Sequence, residues 1–223
     1  MTSLCIARHS LSRARASQAA LEGVRGLRVV GVADSLYRAQ ATLAGLDADA
    51  LLIDLQLEDG AALSLVRALR ARRADRPRVM LVAPDAADPL LFGTLRAGAD
   101  AYLLEADLPV AASLLCRMHA GEASMAAPVA LQLLRFFNES TSAPQSADAA
   151  SDRAVDWRTH AANPLQLSPG EVRLVQRMAA GLRSAEAAAR MGLSLEAVGR
   201  RIANMYRKLS WDVRSGALSL LAA

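Results

Sequence analysis

The chain's 223 residues suit one large domain or two ordinary ones, and its 53% hydrophobic content is ample for a core. Aromatics are only 4%, so alanine, leucine and valine must fill that core; the formal net charge is +4. No run has the length or apolarity of a bilayer span, and the N-terminus lacks a signal-peptide core and cleavage pattern, which points to a cytoplasmic protein with no membrane partner.

Residues 1–120 alternate short apolar runs with helical periodicities. Strands are predicted at Leu4–Ala7, Leu27–Ala33, Ala50–Asp54, Arg78–Val82 and Ala101–Leu104, with helices at about 11–22, 35–45, 61–73, 88–97 and 108–119. Five such alternations predict an α/β domain, a doubly wound parallel sheet with helices on both faces. Turn pairs Asp59-Gly60, Arg76-Pro77, Asp88-Pro89 and Ala97-Gly98 fall at the breaks. Cys5 and Cys116, far apart in apolar segments, read as buried reduced thiols. His9, His119 and His160 show no ligand spacing near a cysteine pair, so neither a metal nor a cofactor is expected.

A further helix is predicted over Pro128–Asn138, with Val129, Leu133 and Phe136/Phe137 on one side. Residues 139–166 change character, from Glu139-Ser140-Thr141-Ser142-Ala143-Pro144 to Ala162-Asn163-Pro164, and read as a flexible tether; within it Trp157 is expected to pack onto either domain, with a partner anchor as the lesser alternative. The chain thus divides into a first domain (1–122), a connecting helix (123–138), a linker (139–166) and an all-α C-terminal domain (167–223).

Ser168-Pro169-Gly170-Glu171 is a complete helix start. Ser168 caps, Pro169 needs no amide donor at the first helical position, and Glu171 reaches back to close a capping box. This helix is predicted to run to Ala180 and stop at Gly181; Ser184 starts a short helix that Gly192 ends, and Ser194 caps a third. Met191-Gly192-Leu193-Ser194 joins the last two as a tight helix-turn-helix. In the third helix Val198, Ile202, Met205 and Leu209 form one buried stripe. Opposite lies a face centred on Arg200 and Arg207, with Glu196, Ala203 and Asn204 beside them and Arg201 and Lys208 flanking. On an isolated helix such a face would merely be solvated, but the second helix of a tight pair is the element that enters a major groove. Residues 167–223 carry nine basic and four acidic side chains, so the excess positive charge is concentrated where phosphate attraction requires it.

In an open parallel sheet, chemistry gathers at the carboxyl ends of the strands. Those ends carry Ala7-Arg8-His9, Asp54, Val82 and Glu105. This arrangement joins the words Asp49-Ala-Leu-Leu-Ile-Asp54-Leu-Gln-Leu-Glu-Asp-Gly60, Ala97-Gly-Ala-Asp-Ala-Tyr-Leu-Leu104 and Leu167-Ser-Pro-Gly-Glu171. With Gly181-Leu182, Glu186, Val198, Asn204 and Lys208-Leu209, it resembles two-component response regulators of the NarL/LuxR (NarL/FixJ) type over nearly the whole chain outside the tether. The resemblance implies a CheY-like, flavodoxin-like receiver of five parallel strands followed by a LuxR-type helix-turn-helix domain.

It also implies that Asp54 stands at the phosphoacceptor position. Family members hold Mg²⁺ with an acidic pair where this chain has Ala7 and Arg8. They grip the phosphoryl group with a Ser or Thr where it has Val82, and pair it with a lysine where it has Glu105. The proline usual four residues after the phosphoacceptor is replaced by Glu58. Without metal or lysine, about two added negative charges beside Glu105 would be repelled, and Arg8 is expected to pair with Asp54 in the cation's place. The expectation is a degenerate, atypical receiver in which Asp54 is unused. The competing expectation is a receiver still phosphorylated at Asp54, with metal ligands from elsewhere such as Asp59.

The resemblance further implies a receiver that dimerises and restrains the DNA-binding module. The helix at 108–119 and the face around Leu90, Leu91 and Leu95 are candidate surfaces, core packing being the plainer role for those leucines. Tyr102 falls on the residue that reports phosphorylation in many receivers. With Val82 present that coupling should be cut, leaving a protein or small-molecule input. On DNA, Arg200 is expected to reach guanine and Arg201, Arg207 and Lys208 to meet phosphates. Ser184 would bind phosphate at a helix start, and Glu196 would favour the helix dipole or accept from cytosine. Family members often carry threonine, lysine and another lysine or polar residue where this chain has Ala197, Gly199 and Ala203; the small residues would let the helix sit closer to the bases, or weaken binding. The segment Asp212–Leu221, with Val213, Ala217, Leu220 and Leu221, reads as a dimer helix. The expected protein is no enzyme but a homodimeric transcription regulator bound to double-stranded DNA. The alternative is an interaction protein that sequesters another regulator.

Overall fold

Each predicted apolar run forms a strand of one parallel sheet. The strands β1 (Thr2–Ala7), β2 (Leu27–Ala33), β3 (Ala50–Asp54), β4 (Arg78–Ala83) and β5 (Ala101–Leu104) lie in the order β2-β1-β3-β4-β5. A computed structural model describes residues 1–72, 76–141 and 167–221, with side chains except for 137–141 and 211–221. The predicted tether therefore falls mostly outside the described residues, as does Trp157. Leu51, Leu52 and Ile53 on β3 and Val79, Met80 and Leu81 on β4 are all buried, because helices cover both faces of the sheet.

Those helices are α1 (Leu11–Leu21), α2 (Leu36–Gly45), α3 (Ala62–Arg72), α4 (Pro89–Ala97) and α5 (Ala111–His119). Ser10 and Ser35 cap α1 and α2, accepting from the amides of Arg13 and Arg38, and Asp88 caps α4. Gly98 ends α4 with φ 117°, and a Cβ there would stand 2.7 Å from Arg70 Cγ, so both backbone and packing require glycine. Arg70 is buried beneath it, donating to the carbonyls of Gly98 and Pro77 and to Asp100, which also accepts from the Val79 amide.

Two expectations need correction. The helix predicted from 108 is a 3₁₀ turn over Glu105–Val110 and α-helical only from Ala111, since Pro109 lacks an amide donor. Cys5 is buried, its thiol pushed up to about 11 by burial, but Cys116 is exposed. Helix α5 turns Ala111, Leu115 and Met118 inward, which leaves position 116 on its outer side. Leu91 and Leu95 are core residues, the plainer of the two roles the sequence offered for them.

Helix α6 (Ala127–Thr141) buries Val129, Ala130 and Leu133 and lies against the C-terminal module. Its Phe136 ring sits 6.2 Å from Phe92, with the Arg96 guanidinium 4.3 Å above it. The module consists of α7 (Pro169–Ala179), α8 (Ser184–Met191) and α9 (Leu195–Leu221). The capping box forms as expected: Ser168 Oγ accepts from the Glu171 amide, and Glu171 Oε2 accepts from the Ser168 amide at 2.7 Å. Gly192 adopts φ 63° to end α8, and Ser194 Oγ accepts from the Ala197 amide at 3.1 Å. Val198, Ile202, Met205 and Leu209 are buried with Leu174, Val175, Met178 and Ala187. The segment at 212–221 is not a separate element but continues α9, and the side chains of Val213, Ala217, Leu220 and Leu221 lie outside the described residues. Among the described residues no helix is long and apolar enough to cross a membrane.

Glu171 has a second partner, Lys208 Nζ at 2.8 Å, which ties α9 to the start of α7. Burial alone would raise its carboxyl, but the Lys208 ammonium and the Ser168 amide and hydroxyl outweigh burial and hold it below the usual carboxylate range. A carboxyl depressed in the folded state stabilises above its unfolded-chain value, and that contribution is lost as pH falls through the folded-state value. Glu171→Gln is therefore expected to lower stability at neutral pH by about 1 kcal/mol, a small effect because Lys208 is partly solvated. It should also weaken the acid sensitivity of the module. Urea denaturation across the acid range measures both, and an unchanged acid limb in the variant would contradict this role.

Candidate functional site

The carboxyl edge of the sheet is organised around Arg8, which follows β1 and is 1% exposed. Its Nε stands 2.6 Å from Asp54 Oδ1, off the hydrogen-bond axis, so this contact is chiefly ionic. Nη1 donates to Ser17 Oγ at 2.8 Å, and Nη2 donates to both Glu105 oxygens at 2.9 and 2.7 Å. The second oxygen of Asp54 accepts from the His9 amide at 2.7 Å, and Arg13 approaches Glu105 at 3.2 Å. Two guanidinium groups thus balance two carboxylates. Burial pushes the Asp54 carboxyl above its ordinary range, against the His9 amide and Arg8, and Glu105 adds to the rise.

Structure and sequence agree that Arg8 pairs with Asp54. Its bond to Glu105 is a finding the sequence missed, because Glu105 was weighed against a phosphoryl group rather than against Arg8. Ala7 is buried and offers no side-chain oxygen, and Val82 is the strand partner of Asp54 with no hydroxyl to offer. Asp59 is directed elsewhere: its carboxylate accepts from the Leu36 and Tyr37 amides at 2.6 and 3.0 Å, at the start of α2. Tyr102 is buried, its phenol pushed up to about 12 by burial, and its oxygen accepts from the Ala126 amide at 2.7 Å. It therefore holds the segment that leads into α6.

On α9, Glu196, Arg200, Asn204 and Arg207 share the outward face. Arg200 is 52% exposed and donates to Glu196 one turn earlier, and Arg207 donates to Asn204. Arg201 and Lys208 lean instead toward the start of α7. Lys208 binds Glu171, and the Arg201 guanidinium lies so close over Gly170 that a Cβ there would meet Nη1 at 2.9 Å. Ser184 is the first residue of α8, where the preceding Arg183 amide donates to Glu186 at 2.9 Å.

One flank of α9 departs from the helical projection. Gly199 and Ala203 are both buried, and Ala203 was expected on the outward face. The turn after α5 covers them. The Ala123 amide donates to the Gly199 carbonyl at 3.0 Å, and Tyr206 donates to the Ser124 carbonyl at 2.8 Å. Periodicity cannot register a contact between positions so far apart in sequence.

A five-stranded sheet in this order, carrying an aspartate at the end of β3 and joined to a tight helix-turn-helix, defines a receiver-like domain coupled to a helical module of the kind found in response regulators. No family model matches the chain. It is similar to the nitrate/nitrite response regulator protein homolog of Haemophilus influenzae, with 28% identity over 174 residues, 77% of this chain and 73% of that protein. It is also similar to the RcsB response regulator of Salmonella typhimurium, with a TM-score of 0.52 and 17% identity over 93% of this chain and 91% of that one. A structure of two RcsB dimers bound to two parallel DNAs gives a TM-score of 0.52 at 17% identity, covering 94% and 92%. The resemblance to NarL/LuxR-type response regulators therefore stands, and the fold extends over both domains.

Removing Arg8 would leave Asp54 and Glu105 facing each other without their buried cation. Arg8→Ala is expected to cost about 3–5 kcal/mol of stability. Arg8→Ala combined with Asp54→Ala should recover part of that loss, since the two effects are coupled. Urea unfolding of the single and double variants tests this, and simple additivity would show that the pair does not hold the edge.

Proposed function

We propose that the chain is a homodimeric, sequence-specific DNA-binding transcription regulator of the cytoplasm whose receiver-like domain works without phosphorylation of Asp54. The observation that carries the second half is Arg8, whose buried guanidinium engages Asp54, Ser17 and Glu105 together. Both Asp54 oxygens are engaged, one by Arg8 and one by the His9 amide, so a phosphoryl group would have to break into a balanced ionic cluster. Metal-assisted phosphoryl transfer depends on positioned charge neutralisation for the incoming group, and here the neutralising cation is already spent on two resident carboxylates.

DNA binding is supported by the exposed Arg200 and Arg207 on the second helix of a tight pair, and by the concentration of basic residues in 167–223. It is supported too by the DNA-bound dimers of RcsB, to which this chain is similar in fold. In this reading Arg200 contacts a base edge, Arg207 meets phosphate, and Glu196 and Asn204 position these two guanidinium groups. Arg201 and Lys208 would have to leave the α7 start to reach the backbone. A dimer would set two half-sites about one turn of the duplex apart.

Incubation of the protein with a small phosphodonor and Mg²⁺ is expected to leave its intact mass unchanged, and Asp54→Asn to leave DNA affinity unchanged. A mass gain of one phosphoryl group that the variant abolishes would refute the phosphorylation-independent reading. Replacing Arg200 and Arg201 together by alanine should lower affinity for genomically mapped sites roughly tenfold or more. A protein that works by sequestering another regulator would keep its activity in that variant.

A further inference from the structure

We infer that the cleft between α1 and the turn after β5 binds a small neutral molecule with an apolar body and one carbonyl-type acceptor. The inference goes beyond the proposed function and does not depend on it. The cleft holds about 400 Å³, within the range of roughly 300–1,000 Å³ usual for small-molecule sites. Helix α1 lines it with Arg13, Ala16, Ser17, Ala20 and Leu21, spacings that put all five on one face. Leu108, Pro109 and Ala111 supply the other wall, and Leu52 of β3 also borders the space. An apolar body would find its contacts among these residues. The alanines matter because each leaves room that a longer side chain would take.

The polar end of the cleft comes from the Arg8 cluster. Ser17 is 7% exposed, and its Oγ accepts from Arg8 Nη1 at 2.8 Å. Among the described residues the Ser17 hydroxyl donates to no acceptor, not even to a carbonyl one turn back in α1. Arg8 Nη1 likewise gives one proton to Ser17 and the other to no described acceptor. Both donors belong to buried side chains that border the cleft. Charge then sets the class of ligand. Arg8 and Arg13 already balance Asp54 and Glu105, so the site is neutral. A carboxylate would add an unbalanced charge beside Glu105, and an ammonium would face two guanidinium groups. A carbonyl oxygen can accept from Ser17 and Arg8 without disturbing that balance. Water can meet the same donors, but it leaves the apolar wall wet; an acceptor carried on an apolar body replaces the hydrogen bonds and covers the wall as well. The occupant would rest on the cluster that closes the sheet edge, since Arg8 and Glu105 are both in the lining.

The test uses the full chain with labelled alanine and leucine methyl groups, followed by NMR in dilute solution, and two probes of one shape. Benzylacetone carries a ketone, and hydrocinnamate carries a carboxylate in its place. Benzylacetone should shift the Ala16, Ala20, Leu21 and Leu108 methyls and reach saturation. Hydrocinnamate should bind at least roughly tenfold more weakly, because its charge is buried without a partner. Ser17→Ala should weaken benzylacetone roughly fivefold, the equilibrium worth of one ordinary hydrogen bond. Ala20→Leu, at an exposed position of α1 that tolerates the change, fills the cleft and should abolish the shifts. No saturable shift of these methyls, shifts undiminished by either variant, or equal affinity for the two probes would overturn the inference. If the same methyls respond only to raised protein concentration, the cleft belongs to a second copy of the chain and the inference falls.

Discussion

A guanidinium withdrawn from water must be met by anions and acceptors on each side it presents, or its burial is prohibitive. Arg8 satisfies that condition with Asp54, Ser17 and Glu105, and the character of the whole sheet edge follows. Had an acidic pair stood after β1, the edge would carry excess negative charge and invite a divalent cation. With Arg8 in that place, a lysine at 105 would leave Asp54 alone against two cations. Glu105 restores neutrality. The arginine after β1 and the carboxylate at 105 are therefore one electrostatic arrangement seen at two positions. Val82 fits the same edge, since it buries two methyl groups beside Asp54, its partner across the strands.

The sheet was legible because each strand is a nearly unbroken apolar run, and the helix ends because serine, aspartate, proline and glycine act through local backbone chemistry. The Ser168–Glu171 box could be read at single-residue resolution for that reason. What the sequence hid has a common cause. Arg201 and Lys208 sit at angles on α9 that a helical projection assigns to solvent, yet the start of α7 lies against that flank. Ala203 sits on the outward face by the same projection and is buried by the receiver. Glu105 could have been understood by pairing it with Arg8 across 97 positions; charge complementarity at two strand ends was the available signal. Cys116 needed the actual start of α5, which Pro109 delays.

On the proposed DNA-binding reading, helix α9 must satisfy partners with opposite demands. Duplex DNA rewards long cationic side chains, whereas close docking of a protein backbone rewards small ones. The helix divides the demands around its circumference, with Arg200 and Arg207 on the outward face and Gly199 and Ala203 on the flank. Glycine at 199 weakens a helix by about 1 kcal/mol relative to alanine, so a surface helix with no other obligation would gain by replacing it. The Ala123–Gly199 hydrogen bond and the approach of Glu122 offset that loss. In a chain whose sheet edge is electrostatically closed around Arg8, the fitted contact between the turn after α5 and the Gly199–Ala203 flank is a physical link between the two domains that small residues alone permit.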